Sequence, residues 1–312
     1  MKVMIVGAGA VGGYVGARLL SVGVDVTFVV REARQAQLAA DGLVVESPLG
    51  DFRNAVVAVR APPAGFSPDL AILACKAPAL DGALEAVASA VGPQTRILPF
   101  LNGIAHLDVL RRRFPGVPVL GGLVHGGLTL RADGVVAHLT PFFSTVVGAD
   151  AGSVDAVAEA FVSRVSDAGV DARLSGDIQR DLWNKFVFLA TLAGITCLMR
   201  ASIGTIVSSE DGHDLVLQLL DECLAVSRAE GFAPDEASMA SYRRVLTDAG
   251  STFTSSMLRD ILGGHRTEGD HILGDMLRRA RRHGIDTPLL KVAAAHLHCF
   301  EATLAQTSRI SG

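Results

Sequence analysis

Three glycines near the N-terminus have the spacing of a phosphate-binding loop. Gly7, Gly9 and Gly12 form a G-x-G-x-x-G pattern. In such a loop the first glycine permits a sharp turn, the second lets backbone amides approach a pyrophosphate, and the third lets a helix pack closely on a strand. The spacing alone is weak evidence, because a chain with 33 glycines in 312 residues contains chance matches to it. Here, however, the loop follows an apolar run and precedes an apolar helical stretch. This order predicts a dinucleotide site at a helix N-terminus, formed by Gly7, Ala8, Gly9, Ala10, Val11 and Gly12.

The residue that follows the second apolar run, 24–30, indicates which dinucleotide binds. An Asp or Glu is usual at this place for NAD, whereas this chain has Arg31, with Arg34 close behind. A guanidinium suits a 2'-phosphate through forked, charge-assisted hydrogen bonds, so the sequence predicts NADPH as the cofactor and Arg31 as a contact. The alternative is that Arg31 is only a solvated residue at the end of a strand.

Two further polar residues follow predicted strands of the same domain. Lys76 comes directly after the apolar run 69–75, and Asn102 follows the run 96–101. Ligands of doubly wound sheets bind outside the carboxyl ends of the strands, so both residues are expected near a ligand. The alternatives are a solvated lysine and an Asn-Gly turn without a binding role.

One charged residue stands in the middle of the apolar helix predicted over 178–200. A lone lysine in a buried helix is costly unless it is paired or faces a cleft, and burial lowers its pKa. Two interpretations of Lys185 remain open. It pairs with Asp181 at i, i+4, or it projects into an interdomain cleft as a proton donor.

A second candidate segment lies near residue 268. Thr267 and Asp270 have the T-x-x-D spacing of a capping box, which predicts a helix whose first residue is Glu268 and which ends before Gly284. Dipole stabilisation alone could explain a carboxylate there. A Gly-Gly pair at 263–264 breaks the preceding helix, and the bend could bring Ser256 to the same side as Glu268.

These residues require two domains of different composition. Strands and helices alternate up to about residue 174, which predicts an α/β fold with a Rossmann-type dinucleotide-binding domain over 1–176. A hairpin around Asp133-Gly134 is expected to form the edge of that domain's sheet. His125 and His138, in or beside this hairpin, are interpreted as structural histidines. Only helical periodicity follows, which predicts an all-helical domain over 177–312.

Composition excludes several function classes. The net charge is −4 and the isoelectric point is about 6.1, which leaves no basic footprint for nucleic acid. The four cysteines are far apart and no two of them have metal-ligand spacing, and no H-x-x-x-H pair of histidines has a carboxylate between its members, so we expect no metal site and a reducing compartment. The longest uncharged apolar run, 186–199, is shorter than a membrane span needs, and Met1 leads directly into a strand. We therefore expect a cytoplasmic protein without a membrane helix.

The chain resembles the ketopantoate reductase (2-dehydropantoate 2-reductase) family nearly from end to end. The motifs are GAGAVGG from Gly7, Arg31, Cys75-Lys76, Leu101-Asn102-Gly103, the LWNK that ends at Lys185, and the SSML and RTE segments that hold Ser256 and Glu268. The resemblance implies NADPH-dependent reduction of a 2-oxo acid, foremost 2-dehydropantoate to pantoate in pantothenate biosynthesis. It also implies a role for each residue: Lys185 as proton donor, Glu268 as its neighbouring carboxylate, Asn102 near nicotinamide and substrate, Ser256 on the substrate, and Arg31 and Lys76 on the cofactor.

The chain departs from the family pattern at three asparagines. Leu189 and Ala193 stand four and eight residues after Lys185 where the family has asparagines, and Ile203 replaces a third. Unpaired buried polar groups cost about 1 to 3 kcal/mol, so this substitution predicts a more apolar pocket and leaves the substrate open. Two other functions are consistent with the sequence: a related NADP-dependent dehydrogenase acting on a more apolar carbonyl compound, and a non-catalytic NADPH-binding regulatory protein. A homodimer formed through the helical domain is plausible.

Overall fold

The protein consists of two compact units. The computed structural model describes residues 1–149 and 153–310. The first unit comprises residues 1–101 and 106–179, and the second comprises Asn102–Ala105 together with Arg180–Gly312. The first unit is mixed α/β and the second is helical, which confirms the predicted fold class. The short segment Asn102–Ala105 thus follows a strand of the first unit in sequence but belongs to the second unit by its contacts.

A five-stranded parallel sheet forms the centre of the first unit. The strand order is β5-β2-β1-β6-β7, so the chain places β2 and β5 on one side of β1 and β6 and β7 on the other. This reversal puts a topological switch point beside β1, where ligands of such sheets bind. The strands are nearly continuous apolar runs because both faces of a parallel sheet are covered. The strands are β1 (Lys2–Val6), β2 (Asp25–Val29), β5 (Val57–Val59), β6 (Leu70–Leu73) and β7 (Arg96–Pro99), and the helices after them are α1 (Ala10–Ser21), α2 (Glu32–Asp41), α3 (Leu80–Val87) and α4 (Ala105–Arg113).

The predicted hairpin around Asp133-Gly134 forms, but its expected place in the main sheet is wrong. Strands β9 (Leu128–Leu130) and β10 (Val136–His138) pair antiparallel, and β10 pairs with β3 (Leu43–Glu46), not with the five-stranded sheet. With β4 (Phe52–Asn54) these strands form a separate sheet of order β4-β3-β10-β9. The reason is a pairing partner distant in sequence, which local turn chemistry does not specify. His138 is a structural histidine as predicted, because its Nδ1 lies 2.9 Å from Ser47 Oγ.

A third sheet completes the first unit. Strand β11 (Ser144–Gly148) lies between β8 (Gly121–His125), to which it is antiparallel, and β12 (Asp171–Leu174), to which it is parallel. Helix α5 (Ala156–Asp167) connects β11 to β12, and Asp155 caps its N-terminus by accepting from the amides of residues 157 and 158.

The second unit is built from helices α6 to α12. Helix α6 (Ile178–Met199) is apolar almost all round, as predicted, and it is long and apolar enough to cross a membrane by length and composition alone. Two thirds of its most apolar window is buried within the fold, as in the core helix of a globular protein. The other helices are α7 (Ile203–Val207), α8 (Gly212–Ala229), α9 (Glu236–Leu246), α10 (Ser256–Leu262), α11 (Asp275–Arg282) and α12 (Pro288–Ile310).

Candidate active site

The glycine loop between β1 and α1 has the geometry that a dinucleotide requires. Gly7 has a φ of +99°, a conformation that L side chains rarely adopt, and it turns the chain out of β1. A Cβ at Gly12 would lie 1.9 Å from the carbonyl oxygen of Gly7, so only glycine lets the helix pack this closely on the turn. A Cβ at Gly9 would meet nothing within 4 Å. Open space therefore lies over the middle of the loop, where a phosphate group can approach the backbone.

The N-terminus of α1 is available to an anion. Gly9 is the N-cap residue and has no side chain to cap the helix, which begins at Ala10. The first-turn amides of Ala10 and Val11 have no acceptor within the helix and carry the positive end of its dipole. Ala8, just before the cap, is buried. The residues present thus fit the pyrophosphate of a dinucleotide.

The two arginines after β2 have different environments. Arg31 is exposed at the N-cap of α2, so its guanidinium is accessible to a ligand phosphate. Arg34 is engaged by the protein, because its Nε donates to the carbonyl oxygen of Ala8 (2.9 Å) and its Nη1 donates to the carbonyl oxygen of Gly134 (2.9 Å). Arg34 therefore ties the glycine loop to the turn of the β9–β10 hairpin.

Arg34 also keeps a free hydrogen-bond donor beside the glycine loop. Burial lowers the pKa of Arg34, and its Nη2 atom is buried without a hydrogen-bond partner in the described part of the chain. The guanidinium of Arg34 donates to neutral oxygens of Ala8, Gly134 and Gln37, which do not compensate its positive charge. A buried donor and an uncompensated cation next to the loop both favour an anionic ligand.

Lys76 lies past the carboxyl end of β6, as predicted, but the strand ends at Leu73 and so three residues before it. It is exposed and is the N-cap residue of a short 3-10 helix, Ala77–Ala79. The turn from which Lys76 extends approaches the glycine loop, because a Cβ at Gly7 would lie 3.0 Å from the carbonyl oxygen of Ala74. The ammonium is therefore on the segment that faces the first glycine.

The second unit brings together three of the predicted site residues. Asn102 Nδ2 donates to Glu268 Oε2 over 3.3 Å, although 166 residues separate the two in sequence. The negative charge of the Glu268 carboxylate raises the pKa of Lys185 on α6. An amide, a carboxylate and an ammonium thus form one polar cluster, which we call the Lys185 cluster.

Lys185 is a lysine whose charge is easily lost. Burial lowers its pKa to about 8 from the usual 10.5, and the attraction of Glu268 opposes this shift without cancelling it. The residue as a whole is half-buried. An ammonium with a pKa near neutrality is suited to donate a proton to a developing alkoxide. The proton-donor role of Lys185 stays a prediction, as does its pairing with Asp181.

The predicted capping box at Thr267 and Asp270 is wrong. Thr267 Oγ1 does accept from the amide of Gly269 (3.1 Å), but the amide of Thr267 donates to Glu301 Oε1 on α12 and not to Asp270. The Asp270 carboxylate instead accepts from Arg278 Nη1 (2.8 Å). A carboxylate from a distant helix displaces the local one because it also accepts from Thr267 Oγ1 (2.8 Å).

Glu268 consequently lies two residues before the first residue of the helix, Asp270, and not at its first position. A π-helical turn, Asp270–Gly274, opens this helix before it continues as α11. The carbonyl oxygen of Glu268 accepts from the amide of Ile272 (3.0 Å), which fixes the backbone from which the carboxylate projects. π-Helical turns are often found at functional sites.

His271 is a neighbour of this cluster that sequence reasoning missed. It lies on the π-helical turn, burial lowers its pKa, and the charge of Glu268 opposes that shift. A Cβ at Gly103 would lie 3.2 Å from His271 Cδ2, so the imidazole packs against the turn that carries Asn102. No sequence motif marks a single histidine three residues after Glu268 as a site residue. Only the packing of the folded chain shows that His271 lies beside the Lys185 cluster.

Other contacts hold α6 in position around Lys185. The hydroxyl of Tyr242 on α9 donates to the carbonyl oxygen of Asn184 (2.9 Å). On the other side of the helix, the Arg279 guanidinium lies 5.2 Å from the Trp183 ring centre and pairs with Glu230 at 2.9 Å. The residues immediately before Lys185 are thus fixed from two directions.

Ser256 is not joined to the Lys185 cluster by any contact among the described residues. It is the first residue of α10 and its side chain is exposed. Its neighbour Ser255 is the buried one, and it caps α10 by accepting from the amide of Leu258 (3.0 Å). The substrate-binding role of Ser256 therefore stays a prediction.

The three positions at which the resemblance implies asparagines differ in accessibility. Ala193 and Ile203 are buried, whereas Leu189, one helical turn after Lys185, is half-buried. Only Leu189 presents its side chain to the accessible side of α6.

Metal coordination has no candidate site in residues 1–149 and 153–310. No group of three or more His, Cys, Asp or Glu side chains there could hold an ion.

Comparison with known proteins gives consistent matches over both units. Residues 3–152 match the family model described as ketopantoate reductase PanE/ApbA, and residues 177–301 match the model of its C-terminal domain. The chain is 36% identical over 302 residues to the "uncharacterized oxidoreductase YkpB" of Bacillus subtilis, a match that covers 97% of this chain and 99% of the relative.

Solved structures of similar proteins have the same fold. The crystal structure of 2-dehydropantoate 2-reductase from Methylococcus capsulatus has a TM-score of 0.86 at 26% identity, covering 97% of this chain and 98% of that one. A ternary structure of D-mandelate dehydrogenase with NADH and anilino(oxo)acetate has a TM-score of 0.87 at 23% identity, covering 98% of this chain and 100% of that one. At 23% identity the second likeness concerns the fold alone.

Proposed function

Because the chain belongs to the ketopantoate reductase PanE/ApbA family of oxidoreductases, we propose that it reduces a 2-oxo acid to a 2-hydroxy acid with NADPH. The first candidate substrate is 2-dehydropantoate, which would give pantoate and place the enzyme in pantothenate biosynthesis. The observation that carries the proposal is the Lys185 cluster, in which burial brings the pKa of a lysine to about 8 beside a carboxylate.

The cofactor side of the proposal rests on the glycine loop and on Arg31. Proteins of this family bind NAD(P)H, and the D-mandelate dehydrogenase structure contains NADH. In this chain the open space at Gly9 and the uncapped N-terminus of α1 suit the pyrophosphate. The exposed guanidinium of Arg31 suits a 2'-phosphate, which is the reason to propose NADPH over NADH. Lys76 would add a second positive charge near the phosphates.

NADPH, when bound, supplies the hydride for the carbonyl carbon. The chain supplies position and a proton. Lys185, as an ammonium, would hydrogen-bond the carbonyl oxygen, stabilise the charge that develops there and donate its proton. Glu268 would keep the ammonium in place and charged, and Asn102, held by Glu268, would orient the substrate. Ser256 would contribute a hydroxyl to the substrate carboxylate.

A second candidate function is reduction of a more apolar carbonyl compound by the same mechanism. Leu189 favours it, because a leucine stands on the accessible side of α6 where the family has an asparagine. A non-catalytic NADPH-binding regulatory protein is disfavoured, because such a protein has no use for a proton donor with a lowered pKa.

The cellular setting follows from the same reaction. A small-molecule 2-oxo acid is the partner we propose, together with a cytoplasmic location, where NADPH and 2-oxo acids are found. A homodimer formed through the helical domain is a further proposal.

Following NADPH oxidation by absorbance against a panel of 2-oxo acids and simple ketones, 2-dehydropantoate included, tests the proposal. We expect turnover with at least one 2-oxo acid, and a kcat at least about a hundredfold lower in Lys185→Ala while NADPH still binds. Tight NADPH binding without turnover of any panel member would favour the regulatory protein. Near-normal turnover by Lys185→Ala would rule out Lys185 as the acid.

A further inference from the structure

The accessible side of α6 is a narrow stripe of residues centred on Lys185. Half-buried positions recur at helical spacing, whereas their neighbours Leu182, Trp183, Phe186, Val187 and Ala190 are buried. The half-buried residues of the stripe are Asp181, Asn184, Lys185, Phe188 and Leu189. Because residues 190–197 are all buried, the stripe ends at Leu189. A substrate whose carbonyl oxygen meets Lys185 therefore has Phe188 and Leu189 as its next neighbours along the helix.

The chemistry of the stripe changes abruptly at Lys185. Asp181 and Asn184, on the N-terminal side, are polar, while Phe188 and Leu189, on the C-terminal side, have only carbon side chains. Neither can accept or donate a hydrogen bond. A substrate hydroxyl placed against them would lose its water without gaining a partner.

Phe188 is extended by a second aromatic ring. The rings of Phe188 and Phe253 are stacked, with centroids 6.5 Å apart and an interplanar angle of 23°. Phe253 is 45% exposed, so part of this aromatic surface is accessible to a ligand. On the other side Phe188 lies 6.0 Å from the buried ring of Tyr242, whose hydroxyl is held by Asn184. The position of Phe188 is therefore set by the core, while the outer ring remains open.

We infer that Phe188, Leu189 and Phe253 form the subsite for the substrate side chain, and that this subsite takes an aromatic or branched apolar group lacking a hydroxyl. The inference rests on the proposed function, because it assumes a 2-oxo acid bound at Lys185. The inference favours the second candidate function over the first: the preferred substrate is a 2-oxo acid with a hydrocarbon side chain, and 2-dehydropantoate is a poor substrate.

A matched pair of substrates isolates the hydroxyl. 2-Dehydropantoate and 3,3-dimethyl-2-oxobutanoate differ only in that a CH2OH group of the first is a methyl group in the second. We expect the wild-type kcat/KM to be at least about tenfold higher for 3,3-dimethyl-2-oxobutanoate, because an unpaired hydroxyl is penalised in an apolar subsite. Oxo(phenyl)acetate serves as the aromatic probe and should also be turned over faster than 2-dehydropantoate.

Two variants assign the preference to this subsite. Leu189→Asn supplies the missing hydrogen-bonding group and should reduce the preference for 3,3-dimethyl-2-oxobutanoate at least about tenfold. Phe253→Ala removes an exposed ring, so the fold should be retained, and it should raise KM for oxo(phenyl)acetate about tenfold with little change for pyruvate. Leu262→Asn, at an exposed leucine at the end of α10, is the matched control and should leave both ratios unchanged.

The outcomes separate this inference from the proposed function. Turnover with a preference for 2-dehydropantoate, or a Leu189→Asn variant with the wild-type ratio, would overturn the subsite while leaving the reductase intact. Absence of turnover with every 2-oxo acid would instead refute the reductase. The NADPH dissociation constant of each variant should equal that of the wild type, which shows that a changed ratio comes from the substrate side.

Discussion

Replacing Lys185 with methionine should stabilise the protein at neutral pH while it abolishes proton donation. Methionine keeps the apolar stem of the side chain and removes the ammonium, whose charged form is disfavoured by burial. The variant therefore lacks the unfavourable free energy of a buried ammonium in the native state. A stability gain at a predicted catalytic position would show that the residue is retained for chemistry and not for folding.

The size of the gain follows from the pKa of Lys185. Its native value of about 8 lies roughly 2.5 units below the usual 10.5, and each unit corresponds to 1.36 kcal/mol, so the charged lysine costs about 3 kcal/mol at pH 7. Between pH 8 and 10.5 the unfolded chain binds the proton more readily than the native protein, so wild-type stability rises with pH. The stability advantage of Lys185→Met is therefore full below about pH 8, clearly smaller at pH 9.5, and lost above about pH 10.5.

Urea unfolding followed by tryptophan fluorescence measures this difference. The chain has a single tryptophan, and Trp183 is buried in the second unit two residues from Lys185, so the signal reports unfolding around the substituted position. Lys291→Met is the matched control, because the Lys291 side chain is 59% exposed. It should change the free energy of unfolding by less than about 0.5 kcal/mol. A Lys185→Met variant no more stable than wild type at pH 7, or equally favoured at pH 7 and 9.5, would refute the reasoning.

Three further predictions concern the proton donor and the cofactor. Glu268→Gln removes the charge that raises the pKa of Lys185, so the alkaline limb of the kcat profile for reduction should move from near pH 8 to lower pH, by about one unit; an unmoved limb would separate Glu268 from Lys185. Arg31→Ala should weaken NADPH binding at least about tenfold and leave NADH binding nearly unchanged, as measured by fluorescence titration of both cofactors. Arg34→Lys, which disturbs the contact with Ala8, should weaken both cofactors by a similar factor, and selective loss of NADPH would instead assign the 2'-phosphate to Arg34.

The first unit was largely predictable because its signals are local. Short apolar runs, glycine spacing and the helix between them specify β1, the loop and α1 without reference to the remainder of the chain. The hairpin at Asp133-Gly134 was also predictable from its turn. Its place in a separate sheet was not, because β10 pairs with β3, some ninety residues earlier.

The helical unit was predictable in its elements but not in its side-chain partners. The pattern of α6 predicts a buried helix with one exceptional lysine, and the structure agrees. The partner of Thr267 was wrong because Glu301, more than thirty residues away, provides two hydrogen bonds where the local Asp270 provides none. Capping rules describe the nearest available acceptor in sequence, and tertiary packing can supply a better one.

The sequence by itself determined the cofactor class, the two-part architecture and the identity of the exceptional lysine, because each depends on residue type and spacing within one segment. Only the tertiary structure decided that Asn102 reaches Glu268 and that Arg34 holds the glycine loop while Arg31 stays exposed. It also decided that Leu189 alone, of the three replaced asparagines, is accessible. These are contacts and exposures set by how helices and strands pack, and packing joins residues that share no local pattern.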